Sequence, residues 1–129
     1  MATTTLTTEN FVETIQNNDI VLIDFWADWC GPCKMFAPVY DAESNKHEDI
    51  VFGKVDTEDQ RELGGAMNIS SIPTVMAFRE GVMVFSQSGA MPPAMLTDLI
   101  KQIRELPMEK IHAEIAEQQA AEGDAAQQN

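Results

Sequence analysis

The chain has 129 residues, 44% of them hydrophobic, and its 21 acidic against 8 basic side chains give a formal charge of −13. That length supports one domain with a core large enough to need no staples. The acidic balance argues against nucleic acid or an anionic membrane as partner, since both need clustered Lys and Arg. No stretch approaches the roughly 18 apolar residues of a membrane span, and Met1-Ala2-Thr3-Thr4-Thr5 lacks a basic segment followed by an apolar run. A soluble cytoplasmic protein is expected.

Leu6 ends a Thr-rich stretch that reads as a short edge strand, and Asn10 with Glu13 three residues later has the form of a capping box opening a helix through about Gln16. Asn17-Asn18-Asp19 closes that helix. Ile20 to Ala27 is then a nearly continuous apolar run, the pattern of a central strand buried on both faces, interrupted only by Asp24. The following helix carries Met35, Phe36, Val39 and Tyr40 as its apolar face, with a kink expected at Pro38. Ile50 to Val55 reads as a second buried strand, and Asp56-Thr57-Glu58-Asp59 offers caps for a short helix ending near Gly64-Gly65. Thr74 to Phe78 and Val82 to Ser86 flank Arg79-Glu80-Gly81, which predicts an antiparallel hairpin. After Pro92-Pro93, Leu96, Leu99, Ile100 and Ile103 recur at helical spacing until Pro107. These β-α units followed by a hairpin predict an α/β protein with a mixed sheet of four to five strands between helical layers.

Beyond Pro107 the character changes. Residues 1–104 hold 15 acids against 7 bases, hence −8, whereas residues 105–129 hold 6 against 1, hence −5. Met108, Ile111 and Ile115 make a narrow stripe, and Gln118 to Asn129 is Ala, Gln, Glu, Asp and Gly with a final Asn. The division is therefore a domain over 1–107 and an acidic tail over 108–129, partly helical or disordered, whose removal should leave stability nearly intact.

The two cysteines of the chain stand in Trp29-Cys30-Gly31-Pro32-Cys33-Lys34. Positions i and i+3 are neighbours on a helix, so this spacing permits a disulfide, and Pro32 suits a helix's first turn because its missing N–H would be unpaired there anyway. Cys30 then sits at the helix N-terminus, where unpaired N–H groups and the dipole favour a thiolate, and it becomes the attacking sulfur. In a reducing compartment a lone Cys-x-x-Cys is redox-active or metal-binding more often than a permanent bridge.

The block Asp24-Phe25-Trp26-Ala27-Asp28-Trp29-Cys30-Gly31-Pro32-Cys33-Lys34 resembles the thioredoxin family. Lys54-Val55-Asp56, Ile72-Pro73-Thr74, the Arg79-Glu80-Gly81 turn and Ser88-Gly89-Ala90 follow in the family's order, so the resemblance spans residues 5 to 106. It implies the thioredoxin fold and a thiol-disulfide oxidoreductase that reduces oxidised protein substrates. It also implies recycling by an NADPH-dependent thioredoxin reductase, a monomeric state, and no bound cofactor beyond a redox-active Cys30–Cys33 disulfide. On this resemblance Cys33 is the less exposed, resolving thiol, Asp24 is its proton acceptor, through a water if not directly, and Lys54 is the charge partner of Asp24. Pro73 corresponds to the family's cis-proline, with the backbone of Ile72 and Thr74 left to pair with an extended substrate. Trp29, Gly31 and Pro32 shape access, Gly89 and Ala90 floor the groove, and Trp26 is as readily plain core.

Three rival readings have weaker support. Structural zinc wants four ligands, and His47 and His112 lie at no recognisable spacing from the cysteine pair. A non-catalytic interaction module on the same fold would not need both cysteines, Asp24 and Ile72-Pro73-Thr74 together. A disulfide isomerase or oxidase would be expected to carry a signal peptide and a different pair between the cysteines. Met91-Pro92-Pro93 in place of a more polar helix start, with Met67, Met76 and Met83, leaves partner choice open.

Overall fold

The computed structural model describes residues 2–127, so the last two residues of the expected tail lie outside the described residues. Within them run strands β1 (Thr3–Thr5), β2 (Ile20–Trp26), β3 (Ile50–Asp56), β4 (Thr74–Arg79) and β5 (Val82–Ser88). The helices are α1 (Phe11–Gln16), α2 (Gly31–Ser44), α3 (Arg61–Ala66), α4 (Pro93–Arg104) and α5 (Met108–Gln127). The strands make one mixed sheet in the order β1-β3-β2-β4-β5, with β1 and β2 parallel to β3 and with β2-β4 and β4-β5 antiparallel.

The burial of β2 on both faces follows from its place between β3 and β4. Ile20 and Leu22 enter a cluster with Phe36 and Tyr40 of α2 and Leu96, Leu99, Ile100 and Ile103 of α4. Val21, Ile23 and Phe25 point the other way, among Phe11 and Ile15 of α1 and Leu63 of α3. Period-two alternation therefore sends a continuous apolar run into two separate cores, and the chain folds as three layers. Each fully buried side chain of this kind contributes on the order of 1.5–3 kcal/mol. The hairpin between β4 and β5 turns on Glu80 and Gly81, both at positive φ (52° and 81°), the signature of a type I′ turn that matches strand twist.

Local details depart from the sequence reading where side chains found other partners. The Asn10 amide accepts from Thr7 N and donates to Thr5 O, so it braces the preceding turn and does not cap α1 with Glu13. Met35 is 76% exposed, because the apolar face of α2 is narrower than its sequence suggests and is carried by Phe36 and Tyr40 with Val39 at its margin. Asp56 Oδ1 accepts from the N–H groups of Glu58 and Asp59, making a turn before α3 instead of capping it.

Polar groups fasten the layers. Buried Glu43 of α2 accepts from Thr97 of α4 and pairs with His47, whose Nδ1 meets Arg104, itself forked onto Asp49. Arg79 Nη1 donates to the carbonyls of Ile103, Arg104 and Leu106, serving the C-terminal end of α4, where carbonyls lack helical partners.

The tail is one helix, α5, continuous from Met108 to Gln127, where the sequence suggested a thin stripe giving way to disorder. Ala, Glu and Gln are strong helix formers, which accounts for its continuity where packing is slight. Met108 is buried, Ile111 and Ile115 are half-buried, and His112 pairs with Glu80 in the hairpin turn. The contacts of Met108 revise the expected cost of removing the tail. Deleting residues 118–129 should leave Tm within about 1 °C, as exposed changes usually do. Deleting residues 108–129 loses a buried side chain worth about 1.5–3 kcal/mol and should lower Tm by roughly 5–10 °C. Thermal melts of the two truncations check this, and equal Tm values would show that the first turns of α5 contribute nothing.

Candidate active site

The site lies where β2 ends. Strands of an α/β sheet present ligand sites beyond their carboxyl ends, and here Ala27 to Trp29 carry the chain from β2 straight into α2. Cys30 is the N-cap of α2, in extended conformation, and Gly31 and Pro32 form the first helical positions. Cys30 and Cys33 are joined in a disulfide. The Cys33 N–H donates to Cys30 Sγ at 3.2 Å, so one of the helix's unpartnered donors is already aimed at the first sulfur. The expected contrast in exposure between the two thiols is nearly absent: Cys30 is 4% exposed against 3% for Cys33, because the neighbouring Ile72 loop covers it, with Ile72 O 3.7 Å from Cys30 Sγ.

Trp29, by contrast, is 70% exposed. Its indole N–H donates to Glu58 Oε1 at 2.8 Å, and the other Glu58 oxygen accepts from Arg61 at 2.9 Å. These hydrogen bonds, Trp29 first and then Arg61, hold the Glu58 carboxyl below its ordinary range. From the sequence Glu58 was read only as part of a capping stretch, and Arg61 was not singled out. An acid and a base three residues apart on a polar turn read as a solvated pair until the fold sets them against the tryptophan.

Asp24 is 1% exposed in the middle of β2, and neither of its oxygens has a hydrogen-bond partner among the described residues. Burial pushes its pKa up from 3.8 to about 7; the charge of Lys54 draws it down and that of Asp41 pushes it up. Lys54 stands in register with Asp24 on the adjacent strand. Its ammonium lies over the Trp26 ring, 5.3 Å from the centroid, so it acts on Asp24 through its field and not through a direct ion pair. A cavity of about 90 Å³, roomy enough for a water, is bordered by Asp24, Cys33 and Lys54, its wall mostly apolar but carrying the polar atoms of those side chains.

The third side of the site comes from β4. Because β4 runs antiparallel to β2, its first residue, Thr74, pairs with Phe25 near the end of β2, and Pro73 is brought beside the disulfide from 40 residues away in sequence. The Ile72-Pro73 peptide is cis. Gly89 N–H donates to Pro73 O at 2.8 Å, and Gly89, at φ 106°, and Ala90 are exposed next to it. Gly89 occupies a backbone region that side-chain-bearing residues rarely adopt. Cys30, Cys33, Trp29, Gly31, Pro32, Ile72, Pro73, Thr74, Gly89 and Ala90 thus gather at one end of the sheet, with Asp24 and Lys54 beneath.

The thioredoxin family model matches residues 2–102. The chain belongs to the thioredoxin family. A Streptomyces coelicolor protein that carries the provisional name thioredoxin 2 is 57% identical over 122 residues, covering 95% of this chain and 91% of that protein. The thioredoxin of Porphyra purpurea is 41% identical over 98 residues, covering 74% and 92%. Among solved structures, Plasmodium falciparum thioredoxin aligns with a TM-score of 0.71 at 36% identity, covering 76% of this chain and 96% of its own. The fold is the thioredoxin fold, as the sequence resemblance implied, and the protein is a thiol-disulfide oxidoreductase of the dithiol-disulfide exchange type. No helix among the described residues is long and apolar enough to cross a membrane. His47 and His112 are engaged with Glu43, Arg104 and Glu80, away from the disulfide. Of the methionines noted in the sequence, Met76 and Met91 are core, Met67 is half-buried and Met83 is 52% exposed.

Asp24 makes stability depend on pH in a defined direction. Its carboxyl titrates near 7 in the fold against 3.8 ordinarily, so between those values the native state holds the extra proton. Stability from this group therefore falls as pH rises from about 4 to about 7. Asp24→Asn, which never ionises, should match wild type near pH 4 and exceed it above about pH 8 by up to about 4 kcal/mol, the equivalent of some three pH units. Denaturant titrations at the two pH values check this; a gain of equal size at both would mean that Asp24 is not charged and buried in the native protein.

Proposed function

We propose that this protein reduces disulfides in other proteins with Cys30 as nucleophile and Cys33 as resolving thiol. The observation that carries the division of labour is the Cys33 N–H on Cys30 Sγ at the N-cap of α2, a donor that stabilises negative charge on one sulfur and not on the other. In the reduced protein the Cys30 thiolate attacks one sulfur of the substrate disulfide. A mixed disulfide forms, and the substrate's other sulfur leaves as a thiolate. Cys33 then gives up its proton, attacks Cys30, and the second substrate sulfur departs. The Cys30–Cys33 disulfide carries away the two electrons' worth of oxidation.

Asp24 receives the Cys33 proton. A carboxyl that titrates near neutrality is matched to that task, and the small cavity that Asp24 and Cys33 both border gives a water room to carry the proton. Lys54 tunes Asp24 from the adjacent strand. The substrate segment lies extended along Ile72, Pro73 and Thr74, with Trp29, Gly31 and Pro32 on one side and Gly89 and Ala90 on the other, making a short strand-like pairing with that backbone. The oxidised protein is returned to the dithiol by an NADPH-dependent thioredoxin reductase. It works in the cytoplasm as a monomer, with residues 1–107 as the catalytic domain and the helical tail as an appendage.

Cys30→Ser should abolish turnover in a reductase-coupled disulfide assay, whereas Cys33→Ser should still attack and then stall, accumulating the mixed disulfide visible by mass. Wild-type turnover by Cys30→Ser, or trapping through Cys33 in preference to Cys30, would overturn the assignment.

A further inference from the structure

Beside the disulfide, on the side away from Asp24, a trough of about 480 Å³ runs from Trp29 past Thr57 and the two glycines of α3 to Ile72. Gly64 and Gly65 leave it open: a side-chain carbon placed on Gly65 would meet nothing within 4 Å. Its walls are apolar at Trp29, Ile69 and Ile72, and Arg61 is the one charged residue among those that line it. Behind Arg61, Glu58, Asp59 and Glu62 border a separate depression, so the guanidinium stands between an acidic ridge and the neutral trough. The two other cations near the motif, Lys34 and Lys54, border the Asp24 cavity instead.

The bonding of this cluster decides which charge the trough offers. Both oxygens of Glu58 are taken, one by the Trp29 indole and one by Arg61. Arg61 spends Nε on the Glu58 carbonyl and Nη2 on its carboxylate, but among the described residues Nη1 makes no hydrogen bond, and the side chain is 80% exposed. A guanidinium with free N–H groups is suited to a carboxylate. In a chain of net charge −13, whose general field repels acidic partners, it is also a local exception.

We propose that Arg61 selects among substrates, drawing an acidic side chain carried by the segment that crosses Trp29 when the neighbouring cysteine meets Cys30. This deepens the disulfide-reduction reading above and rests on it. The trough seats the apolar part of that segment on Trp29, Ile69 and Ile72, and Arg61 reads the charge at its rim. Arg61 is the first residue of α3, one carboxylate removed from the indole that adjoins the nucleophile. It can therefore discriminate without touching the reacting sulfurs.

The test uses fluorogenic disulfide peptides that differ only in Glu or Gln two residues to either side of the attacked cysteine, each reduced by the pre-reduced full chain. For one of the two placements the Glu:Gln ratio of second-order rate constants should be about two- to fivefold at low salt, the size an exposed ion pair yields. It should shrink towards one at about 0.5 M salt. Arg61→Ala should bring the ratio to about one, Arg61→Glu should reverse it, and Arg61→Lys should keep part of it. A ratio near one in the wild type at both placements, or a ratio that persists in Arg61→Ala, overturns the proposal. If Arg61 served only to hold Glu58 against Trp29, its removal would slow both peptides alike and leave the ratio standing, which also counts against selection. The Gln peptides report on the underlying reading by themselves: if wild type failed to reduce them and the Glu peptides alike, disulfide reduction itself would be refuted, and selection with it.

Discussion

The central position of β2 is the constraint on which the rest of the structure depends. A strand hydrogen-bonded on both edges and covered on both faces has no solvent-facing position, so every residue from Ile20 to Phe25 is buried whatever its chemistry. For five of those six, burial is favourable. For Asp24 it is costly, and the cost is visible as a carboxyl that titrates near neutrality without a hydrogen-bond partner among the described residues. The same strand, having no freedom to bend away, delivers the chain to Cys30 at a fixed place over the sheet. One packing decision thus yields both the thiol pair and the ionisable group below it.

The sheet order does the remaining assembly. With β3 on one side of β2 and β4 on the other, Lys54 arrives in register with Asp24 from a parallel neighbour, and the Ile72-Pro73-Thr74 segment arrives at the disulfide from an antiparallel one. The site is consequently built from a rigid centre and more open margins. Cys30, Cys33 and Asp24 are almost wholly buried, while Trp29, Gly89, Ala90 and Arg61 are exposed around them. Such a division suits a protein whose chemistry is constant and whose partners vary: sulfur exchange needs fixed geometry, and recognition needs surface.

Charge follows the same division. The molecule is strongly acidic, yet Lys34, Lys54 and Arg61 flank the cysteine pair, two beside the Asp24 cavity and one beyond Trp29. The buried Glu43, with His47 and Thr97, lies at the far end of α2 from the disulfide and ties that helix to α4. Hydrogen bonding of this kind resolves what would otherwise be a penalty for an acid in the core.

The sequence by itself determined the order and type of the elements as far as Pro107, because period-two and helical apolar spacing, paired prolines and a short Gly-containing turn are local signals that burial only reinforces. It also narrowed the chemistry: two thiols one helical turn apart at the start of a helix fit redox or metal-binding work, and the resemblance of the surrounding blocks to the thioredoxin family implied disulfide exchange. What it could not supply was anything decided by competition among distant partners. Asn10 chose Thr7 over Glu13, the Lys54 ammonium lay over Trp26 instead of on Asp24, Met35 faced solvent, and Cys30 was covered by a loop that begins about 40 residues later. Arg61 and Glu58 gained meaning only when α3 was folded against Trp29. The physical reason is common to all of these: spacing specifies which face a side chain occupies, whereas its partner is whatever the tertiary packing brings within about 3 Å of it.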